Sequence, residues 1–389
     1  MKKVHVLTTV FLAGLMMAGC SQKETISPAD EEFVSLKSAS VAGKFIVVLN
    51  EEAGISKSDI QTRKVKVQQK AVGLLKKYEI AGEIEEVYET ALQGFTVKMA
   101  PGQAKKLGDD LGVKSIEADQ IIALSPIEAF GKPTPNPVAQ SIPWGITRVG
   151  GGVSGVGKTA WIIDSGVDLD HPDLTVDTSR SRTFLGGTTT PDDQNGHGTH
   201  VAGTIAAKNN TIGVIGVAAG ATVVSVRVLD RRGSGTTSGV IAGVNYVAAV
   251  AVGDVANMSL GGGVSTALDA AVLGASNAGV KFSLAAGNES DNATNHSPAR
   301  VNGANIYTIS AMGTGDLWAY YSNYGNPPVD FCAPGSSIYS TYKGGGYATL
   351  SGTSMAAPHV AGILLLGPVR TDSNVLNDPD GNADPIAEH

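Results

Sequence analysis

The sequence predicts an α/β domain with a parallel sheet in three layers, preceded by a small α+β domain with a ferredoxin-like order of elements. The large domain is indicated by continuous apolar runs at 160–163, 223–228, 255–258, 281–285 and 306–310. Stretches with helical periodicity lie between them, at 200–207, 238–250 and 266–278. Apolar strands that alternate with helices predict a parallel sheet covered on both faces. In such sheets, ligands bind beyond the carboxyl ends of the strands.

The small domain is predicted over residues 44–124. Its pattern gives a strand at 44–49, an amphipathic helix at 60–78, strands at 84–90 and 94–99, a helix that opens at Pro101, and a strand at 113–124. This order of strand, helix, strand, strand, helix and strand predicts one antiparallel sheet covered by two helices.

The first 20 residues have the layout of a bacterial export signal, with Lys2 and Lys3 before a short apolar run that ends at Cys20. The run is too short for a transmembrane helix. Met17-Ala-Gly-Cys20 resembles a lipobox, which implies lipidation of Cys20 and a lipoprotein precursor of the cell envelope. The alternative is an ordinary signal peptide with a cysteine at position 20 by chance.

Composition shifts divide the rest of the chain. The predicted segments are a signal peptide with lipobox at 1–20, a polar tether at 21–43, the small domain at 44–124, a linker and cleavage zone at 125–139, the large domain at 140–370, and an acidic C-terminal tail at 371–389. Three prolines between 131 and 138 predict irregular, exposed backbone in the linker, and such backbone is readily cut by proteases.

Composition also excludes some classes of partner. Charged residues make up 17% of the chain and the net charge is −7, which is typical of a compact soluble domain. Since no basic patch occurs, we expect no nucleic-acid partner. We expect the protein to be a monomer. Cys332 is predicted to be a buried apolar residue rather than a nucleophile.

Three short motifs carry the chemistry of the large domain. They are Asp164-Ser-Gly directly after a predicted strand, Asn195-Gly-His197-Gly-Thr-His at a helix start, and Gly352-Thr-Ser354-Met-Ala-Ala-Pro-His at another. Singly, Asp164 could be a turn residue, His197 and His200 a metal pair, and Ser354 a helix cap. Together they predict a nucleophile, a base and a residue that orients the base.

These motifs resemble the three signatures of the subtilisin-like serine proteases, and the resemblance covers residues 140–366. Their order, Asp then His then Ser, also matches that family. The resemblance implies that the protein is a secreted serine endopeptidase. Ser354 would attack the scissile carbonyl, His197 would transfer its proton, and Asp164 would orient His197. Asn288 matches the family's oxyanion-hole asparagine, and a Gly-Asn turn is the alternative for it.

The same resemblance implies a set of peptide-binding residues. Two extended segments would hold the substrate as a strand between them, and small residues would form the pocket for the side chain before the scissile bond. The residues are Gly233, Ser234, Gly235, Ser259, Leu260, Gly261, Ala285, Ala286 and Gly287. Glu289 near the rim could admit Lys or Arg, although solvated surface charge is the simpler interpretation.

A structural calcium site is implied as well. Residues 208–217 resemble the calcium loop of the subtilisins, and the oxygen ligands carried over are Gln140, Asp173, Lys208, Asn210, Ile212 and Val214. Side-chain oxygens would come from Gln140, Asp173 and Asn210, and backbone carbonyls from the others. An oxygen cage suits calcium. The alternative is an uncharged surface loop. It stays open because the ligand set contains only one carboxylate.

Residues 44–124 resemble the inhibitor-type propeptide of the family. The resemblance implies that the propeptide occupies the active site until self-cleavage within 125–139 releases an extracellular mature domain from the lipid-anchored part. Two alternatives stay open. One is a surface lipoprotein that inhibits other proteases through the propeptide, and the other is an esterase with the same triad.

Overall fold

The computed structural model describes residues 39–56, 58–124, 128–134 and 138–389. The predicted signal peptide, Cys20 and most of the tether lie outside these residues. Within the described ranges, no helix is both long enough and apolar enough to cross a bilayer.

The small domain has the predicted order of elements. Its elements are β1 Ser40–Leu49, α1 Ala53–Ser56, α2 Ile60–Lys77, β2 Glu83–Tyr88, β3 Gly94–Lys98, α3 Pro101–Gly108 and β4 Val113–Ala123. The strands form an antiparallel sheet in the order β4-β1-β3-β2. Val67 and Leu74 of α2 and Leu107 of α3 are buried against Val47 and Phe95 of the sheet. Asp59 caps α2 by accepting a hydrogen bond from Thr62 N.

The large domain contains the predicted parallel sheet. Its elements are α4 Trp144–Arg148, β6 Val153–Ser154, β7 Thr159–Asp164, β8 Thr175–Val176, β9 Arg182–Thr183, α5 His197–Ala206, β10 Ala218–Ala219, β11 Thr222–Arg227, β12 Ser234–Thr236, α6 Thr237–Val250, β13 Val255–Met258, α7 Thr266–Asn277, β14 Lys281–Ala285, a 3-10 turn Ala293–Asn295, β15 Ile306–Met312, β16 Val329–Pro334, β17 Ile338–Tyr342, β18 Gly346–Ser351, α8 Thr353–Leu366, β19 Arg370–Asn374 and β20 Pro385–Glu388. The central strands pair in parallel in the order β16-β15-β14-β13-β7-β11.

Two helical layers cover this sheet, so the three-layer prediction is confirmed. Successive side chains of a strand point to opposite faces, and β7 illustrates the consequence. Ala160 and Ile162 pack in one core with residues of α5 and α8. Trp161 and Ile163 pack in the other core with residues of α6 and α7. The sheet is buried on both faces, which explains its continuous apolar runs.

The expectation of irregular backbone in the linker is wrong. Residues 131–134 continue a strand, β5 Glu128–Thr134, which pairs antiparallel with β18. Pro133 lacks a backbone N–H, and β5 tolerates this because it pairs on one side only. The acidic C-terminus, for which the sequence predicted no elements, also contains strands. It forms β19 and β20, which extend the edge of the large sheet beyond β16, and Val375 and Ile386 are buried there.

Candidate active site

The predicted base and its orienting acid meet at the carboxyl end of the large sheet. Asp164 is the last residue of β7, and His197 is the first residue of α5. His197 Nδ1 lies 2.8 Å from Asp164 Oδ1. The side chains are 1% and 0% exposed, respectively. Asp164 Oδ1 also accepts a hydrogen bond of 2.7 Å from Ser165 N, so the carboxylate has a fixed position.

Glycines allow this close approach of helix to strand. A Cβ atom at Gly198 would lie 2.1 Å from the carbonyl oxygen of Gly166, which no side chain tolerates. Gly196, directly before His197, has a φ of +113°, a conformation that other residues rarely adopt. The glycines on either side of His197 are therefore a steric requirement of the site.

Asp193 holds the same helix start in place. Its Oδ1 accepts hydrogen bonds from Ser165 Oγ, Asn195 N and Gly196 N, and its Oδ2 accepts them from Thr199 N and Thr199 Oγ1. The carboxylate thus ties the residue after Asp164 to the turn before His197, and it also satisfies free N–H groups at the helix N-terminus. Sequence reasoning did not assign a role to Asp193. Its position four residues before the predicted base was the available signal.

Ser354 is the second residue of α8 and lies at the same edge of the sheet. Its Oγ donates a hydrogen bond of 3.2 Å to Ser259 O, while Ser259 Oγ donates one of 2.8 Å to Ser354 O. Among the described residues, the buried His197 Nε2 has no hydrogen-bond partner. The serine hydroxyl is thus bonded to Ser259 rather than to His197. Catalytic hydrogen bonds of this type often tighten only when substrate is in place.

Asn288 is fixed beside Ser354 by Thr353. Asn288 Oδ1 accepts hydrogen bonds of 2.8 Å from both Thr353 N and Thr353 Oγ1. Thr353 Oγ1 in turn accepts one of 3.1 Å from Gly287 N. Because the amide oxygen is engaged, the donor side of the amide, Nδ2, faces away from Thr353. Thr353 belongs to the serine motif, and these contacts give it a positioning role that the sequence alone did not indicate.

A cavity adjoins these residues. Six of the nine predicted peptide-binding residues line it together with Asn288 and Ser354: Ser259, Leu260, Gly261, Ala285, Ala286 and Gly287. The lining is largely apolar. Glu289 and His296 line the same cavity, and sequence reasoning had assigned no role to His296.

The other three predicted peptide-binding residues contact the small domain instead. Ser234 and Gly235 belong to β12, which pairs antiparallel with β4 of the small domain. Gly235 lies opposite Ile122 in this pairing. Gly233 O accepts a hydrogen bond of 2.9 Å from Leu124 N. The end of the small domain is therefore bound as an added strand, in the manner of many extended peptides.

Two carboxylates of β4 bind the starts of two helices of the large domain. Asp119 accepts hydrogen bonds from Ser238 N at 2.9 Å and Ser238 Oγ at 2.6 Å, at the start of α6. Glu117 accepts hydrogen bonds from Ser265 Oγ and from Thr266 Oγ1 at the start of α7. Negative charge at a helix N-terminus is favourable because it satisfies free N–H groups and complements the helix dipole.

The loop between β2 and β3 is held by a single asparagine of α6. Asn245 Oδ1 accepts hydrogen bonds from the backbone N–H groups of Glu89, Thr90 and Ala91, at 2.8–3.1 Å. Asn245 Nδ2 donates to Glu89 Oε1 at 3.1 Å. The two domains therefore share a polar interface in addition to the paired strands.

The predicted calcium ligands lie close together. Gln140 Nε2 donates to Lys208 O at 2.8 Å and Val214 O at 3.2 Å, and it lies 3.5 Å from Asn210 Oδ1. The buried Asp173 carboxylate accepts hydrogen bonds from Asn210 Nδ2 and Val214 N. Ile212 N donates to Asn210 Oδ1. Within the described residues, no group of three or more His, Cys, Asp or Glu side chains could hold a metal. The predicted calcium set contains only one side chain of these types, Asp173.

The remaining buried titratable groups of the motifs are structural. His200 Nε2 lies within hydrogen-bond distance of Ile338 O and Ala348 O, and burial lowers its pKa to about 3. His359 Nδ1 donates to Met355 O, and burial lowers its pKa to about 4. Burial raises the pKa of the Cys332 thiol, so this cysteine stays protonated and unreactive, as predicted.

Comparison with known proteins identifies the family. Residues 157–367 match the model described as the Subtilase family, and residues 44–125 match the model described as Peptidase inhibitor I9. The chain belongs to the subtilase family. The I9 match covers almost the whole small domain of this subtilase, and the subtilase match includes Asp164, His197, Asn288 and Ser354.

Several curated proteins are similar over most of this subtilase. Alkaline serine exoprotease A of Vibrio alginolyticus is 40% identical over 84% of the chain, which spans 60% of the length of the Vibrio protein. The Extracellular serine proteinase of Thermus sp. (strain Rt41A) is 36% identical, with 92% of this chain and 88% of that protein covered. The crystal structure of a cold adapted subtilisin-like serine proteinase is 42% identical, with a TM-score of 0.56 over 62% of this chain and 96% of that one.

Proposed function

We propose that this subtilase is an exported serine endopeptidase that is made as a self-processing zymogen. The observation that carries the proposal is the pair of Asp164 and His197 beside Ser354, at the sheet edge where the small domain binds as a strand. Family membership supports a serine peptidase, and the I9 match supports an inhibitory propeptide.

The proposed mechanism uses three side chains in sequence. Ser354 Oγ leaves its bond to Ser259 O, attacks the scissile carbonyl and gives its proton to His197 Nε2. His197 then passes that proton to the leaving amine, and water reverses the steps to release the acyl group. Asp164 keeps the proton of the neutral imidazole on Nδ1, so that Nε2 is the base, and it stabilises the imidazolium.

When Ser354 attacks, negative charge develops on the carbonyl oxygen of the scissile bond. This oxyanion needs fixed hydrogen-bond donors. Asn288 Nδ2 and the backbone N–H of Ser354 are the proposed donors. The bonds from Thr353 to Asn288 Oδ1 support this role, because they set the orientation of the amide before substrate binds. A donor that is already oriented costs no reorganisation during the reaction.

Inhibition by the propeptide follows from the strand that it adds. A substrate would pair with β12, and β4 already occupies that edge. We propose that cleavage within residues 125–139 separates the propeptide from the mature domain. Because Cys20 lies on the propeptide side of that cut, cleavage would also free the mature domain from a lipid anchor. Mature enzyme that stays in the membrane fraction after cleavage would contradict this release.

We also propose a structural calcium ion at Gln140, Asp173, Lys208, Asn210, Ile212 and Val214. Three oxygens, Lys208 O, Val214 O and Asn210 Oδ1, converge around the Gln140 amide, whose own oxygen could serve as a ligand after a rotation of the amide. By binding ligands from both segments, the ion would hold the start of the mature domain against the loop around Asn210.

The calcium proposal is tested by thermal unfolding of the inactive Ser354→Ala protein with and without calcium. Calcium should raise Tm, and Asp173→Asn should remove most of this response, because it removes the set's carboxylate. Asp109→Asn, at an exposed position of the propeptide, is the matched control. An equal response to calcium in the Asp173 variant would refute the site.

The peptidase proposal is tested with matched peptide amide and peptide ester substrates and with casein. Hydrolysis of the amide and of casein by wild type but not by Ser354→Ala would support the endopeptidase. Cleavage of the ester alone would favour an esterase. Inhibition of an added serine protease by a folded, inert wild-type protein would favour the inhibitor.

A further inference from the structure

Two buried polar side chains, Asn257 of β13 and Ser259 directly after that strand, lie beside the proposed nucleophile. Asn257 is 1% exposed and Ser259 is 0% exposed. A buried polar group costs free energy unless a hydrogen bond offsets the loss of water. The partners of these two side chains therefore indicate what they do in the molecule.

Ser259 and Ser354 are joined by two hydrogen bonds of opposite direction. Ser354 Oγ donates to Ser259 O at 3.2 Å, and Ser259 Oγ donates to Ser354 O at 2.8 Å. A helical carbonyl normally accepts a hydrogen bond from the N–H four residues later. For Ser354 that residue is Pro358 of α8, which has no N–H. The Ser259 hydroxyl therefore replaces the helical donor that the nucleophile's carbonyl lacks.

Asn257 sets the direction of the Ser259 hydroxyl. Asn257 Nδ2 lies 2.8 Å from Ser259 Oγ. A serine hydroxyl has one proton, and this one goes to the Ser354 carbonyl, because a carbonyl can only accept. The amide must then be the donor in its contact with Ser259. Asn257 Oδ1 has no hydrogen-bond partner among the described residues. The amide's hydrogen bond in this structure is thus the one that orients Ser259.

The strand that contains Asn257 also connects the nucleophile to the base. Strand β13 pairs in parallel with β7, where Asn257 lies opposite Ile162, two residues before Asp164. Asp164 in turn holds His197. The contacts from β7 through β13 to Ser354 therefore set the spacing between nucleophile and base. A misplacement of about 1 Å at reacting groups can cost about a hundredfold in rate.

We propose that Asn257 is a positioning residue for the nucleophile and that it acts through the Ser259 hydroxyl. Asn257 orients this hydroxyl, and the hydroxyl holds the Ser354 carbonyl. The first turn of α8 then keeps Ser354 Oγ in place for attack and the Ser354 N–H in place for the oxyanion. In the described part of the chain, Asn257 lies outside the cavity lining, so its effect should fall on kcat rather than KM. This inference rests on the proposed endopeptidase function.

The test measures kcat and KM on a peptide amide for mature wild type, Asn257→Ala, Ser259→Ala and the double variant. Asn257→Ala should lower kcat about tenfold with little change in KM, because the nucleophile is displaced while the cavity walls stay the same. The double variant should lose no more kcat than Ser259→Ala alone. Such non-additivity is expected when one residue acts through the other.

Ser283→Ala is the matched control. Ser283 lies opposite Asn257 in the neighbouring strand β14 and is also buried. Its hydroxyl donates to Ala357 O of the same helix at 2.8 Å, about one turn beyond the nucleophile. This variant removes a buried hydrogen bond between strand and helix without touching Ser354. It should lower Tm, as Asn257→Ala does, and keep the kcat of wild type.

Thermal unfolding shows whether each variant is folded. If Asn257→Ala does not fold, Asn257→Ser takes its place, because its hydroxyl ends one bond short of the amide and leaves a smaller cavity. A variant that does not mature is compared by its rate of propeptide cleavage in the full-length protein.

Three results would overturn the positioning role: full kcat in a folded Asn257 variant, an equal loss of kcat in Ser283→Ala, or additive losses in the double variant. Wild type that cleaves neither its propeptide nor the amide would refute the proposed function and this inference with it.

Discussion

His197 and Asp164 form a buried pair in which Nδ1 and Oδ1 are 2.8 Å apart, although the residues are 33 positions apart in the chain. The geometry comes from the end of β7, the start of α5 and the missing side chain at Gly198, which lets the helix approach Gly166. The carboxylate can act only as an acceptor, so the imidazole proton is held on Nδ1. His197 Nε2 is left to act as the proposed base.

The first prediction concerns Asp164→Asn. An amide at this position can donate to Nδ1, which favours the wrong tautomer and removes the charge that stabilises the imidazolium. We expect kcat to fall about 10⁴-fold, the loss known for this change in a serine protease triad, with little change in KM. Steady-state kinetics on a peptide amide measures both. Asp170→Asn, at an exposed position, should keep full activity. A loss below tenfold in the Asp164 variant would argue against its role.

The second prediction concerns Asn288→Ala, which removes the proposed side-chain donor to the oxyanion. Because this donor acts only in the transition state, kcat should fall about 10²- to 10³-fold while KM changes little, an effect known for the equivalent asparagine of subtilisin. Asn302→Ala, an exposed asparagine outside the cavity, is the control. A variant that raises KM and preserves kcat would place Asn288 in ground-state binding instead.

The sheet and its helices could be predicted because both signals are local. Continuous apolar runs predicted β7, β11, β13, β14 and β15, and the burial of these strands on both faces explains why the runs are continuous. The wrong expectation, at β5, falls where a proline-rich sequence forms a strand by pairing with the distant β18. The strands β19 and β20, for which the sequence predicted no elements, form in polar sequence and pair with each other at the sheet edge beyond β16. Such pairing leaves little signal within the segment itself.

The residues of the candidate site also fall into two groups, those that the sequence predicted and those that it did not. Asp164, His197, Asn288 and Ser354 lie in short motifs with characteristic neighbours, so the sequence predicted them as a set. The roles of Asp193 and Thr353 depend on contacts between residues far apart in the chain, such as the bonds from Ser165 Oγ to Asp193 Oδ1 and from Thr353 N to Asn288 Oδ1, which span 28 and 65 positions. A single sequence contains no record of these contacts, because each residue type has ordinary surface and turn roles.

The third prediction concerns the interface between propeptide and mature domain. Asp119→Ala in the inactive Ser354→Ala precursor removes a carboxylate that caps α6. We expect the free energy of unfolding to fall by about 1–2 kcal/mol, because the buried Ser238 N–H and hydroxyl lose their acceptor. Urea denaturation monitored by tryptophan fluorescence measures the change. Glu51→Ala, an exposed acid of the propeptide, should have no effect. Equal stability of both variants would exclude a stabilising role for Asp119.

The fourth prediction concerns pH and the buried Asp384, whose Oδ2 accepts a hydrogen bond from Ser310 Oγ. Burial raises the pKa of Asp384 to about 6, and the charges of Asp378 and Asp380 act in the same direction. The folded state therefore binds a proton more readily than the unfolded state. The stability from this group is fully present below about pH 4 and is lost as the pH rises to about 6.

Asp384→Asn tests this pH dependence, again in the Ser354→Ala protein. The parent should lose up to about 3 kcal/mol of unfolding free energy between pH 4 and 6 that the variant retains. Urea denaturation at several pH values measures the difference between the two proteins, which removes the contribution of other carboxylates. Glu51→Gln is the control. Parallel pH profiles for parent and variant would show that Asp384 does not titrate in this range.

The most direct test of the account is intact-mass spectrometry of the purified precursor, as wild type and as Ser354→Ala, incubated in parallel with calcium. If Ser354 is the nucleophile of a self-processing protease, wild type should lose its propeptide by a cut within residues 125–139, while Ser354→Ala stays at full length because loss of the nucleophile removes nearly all activity. Processing of the Ser354→Ala protein at the same position and rate, or a folded wild type that stays intact and inert, would contradict the account.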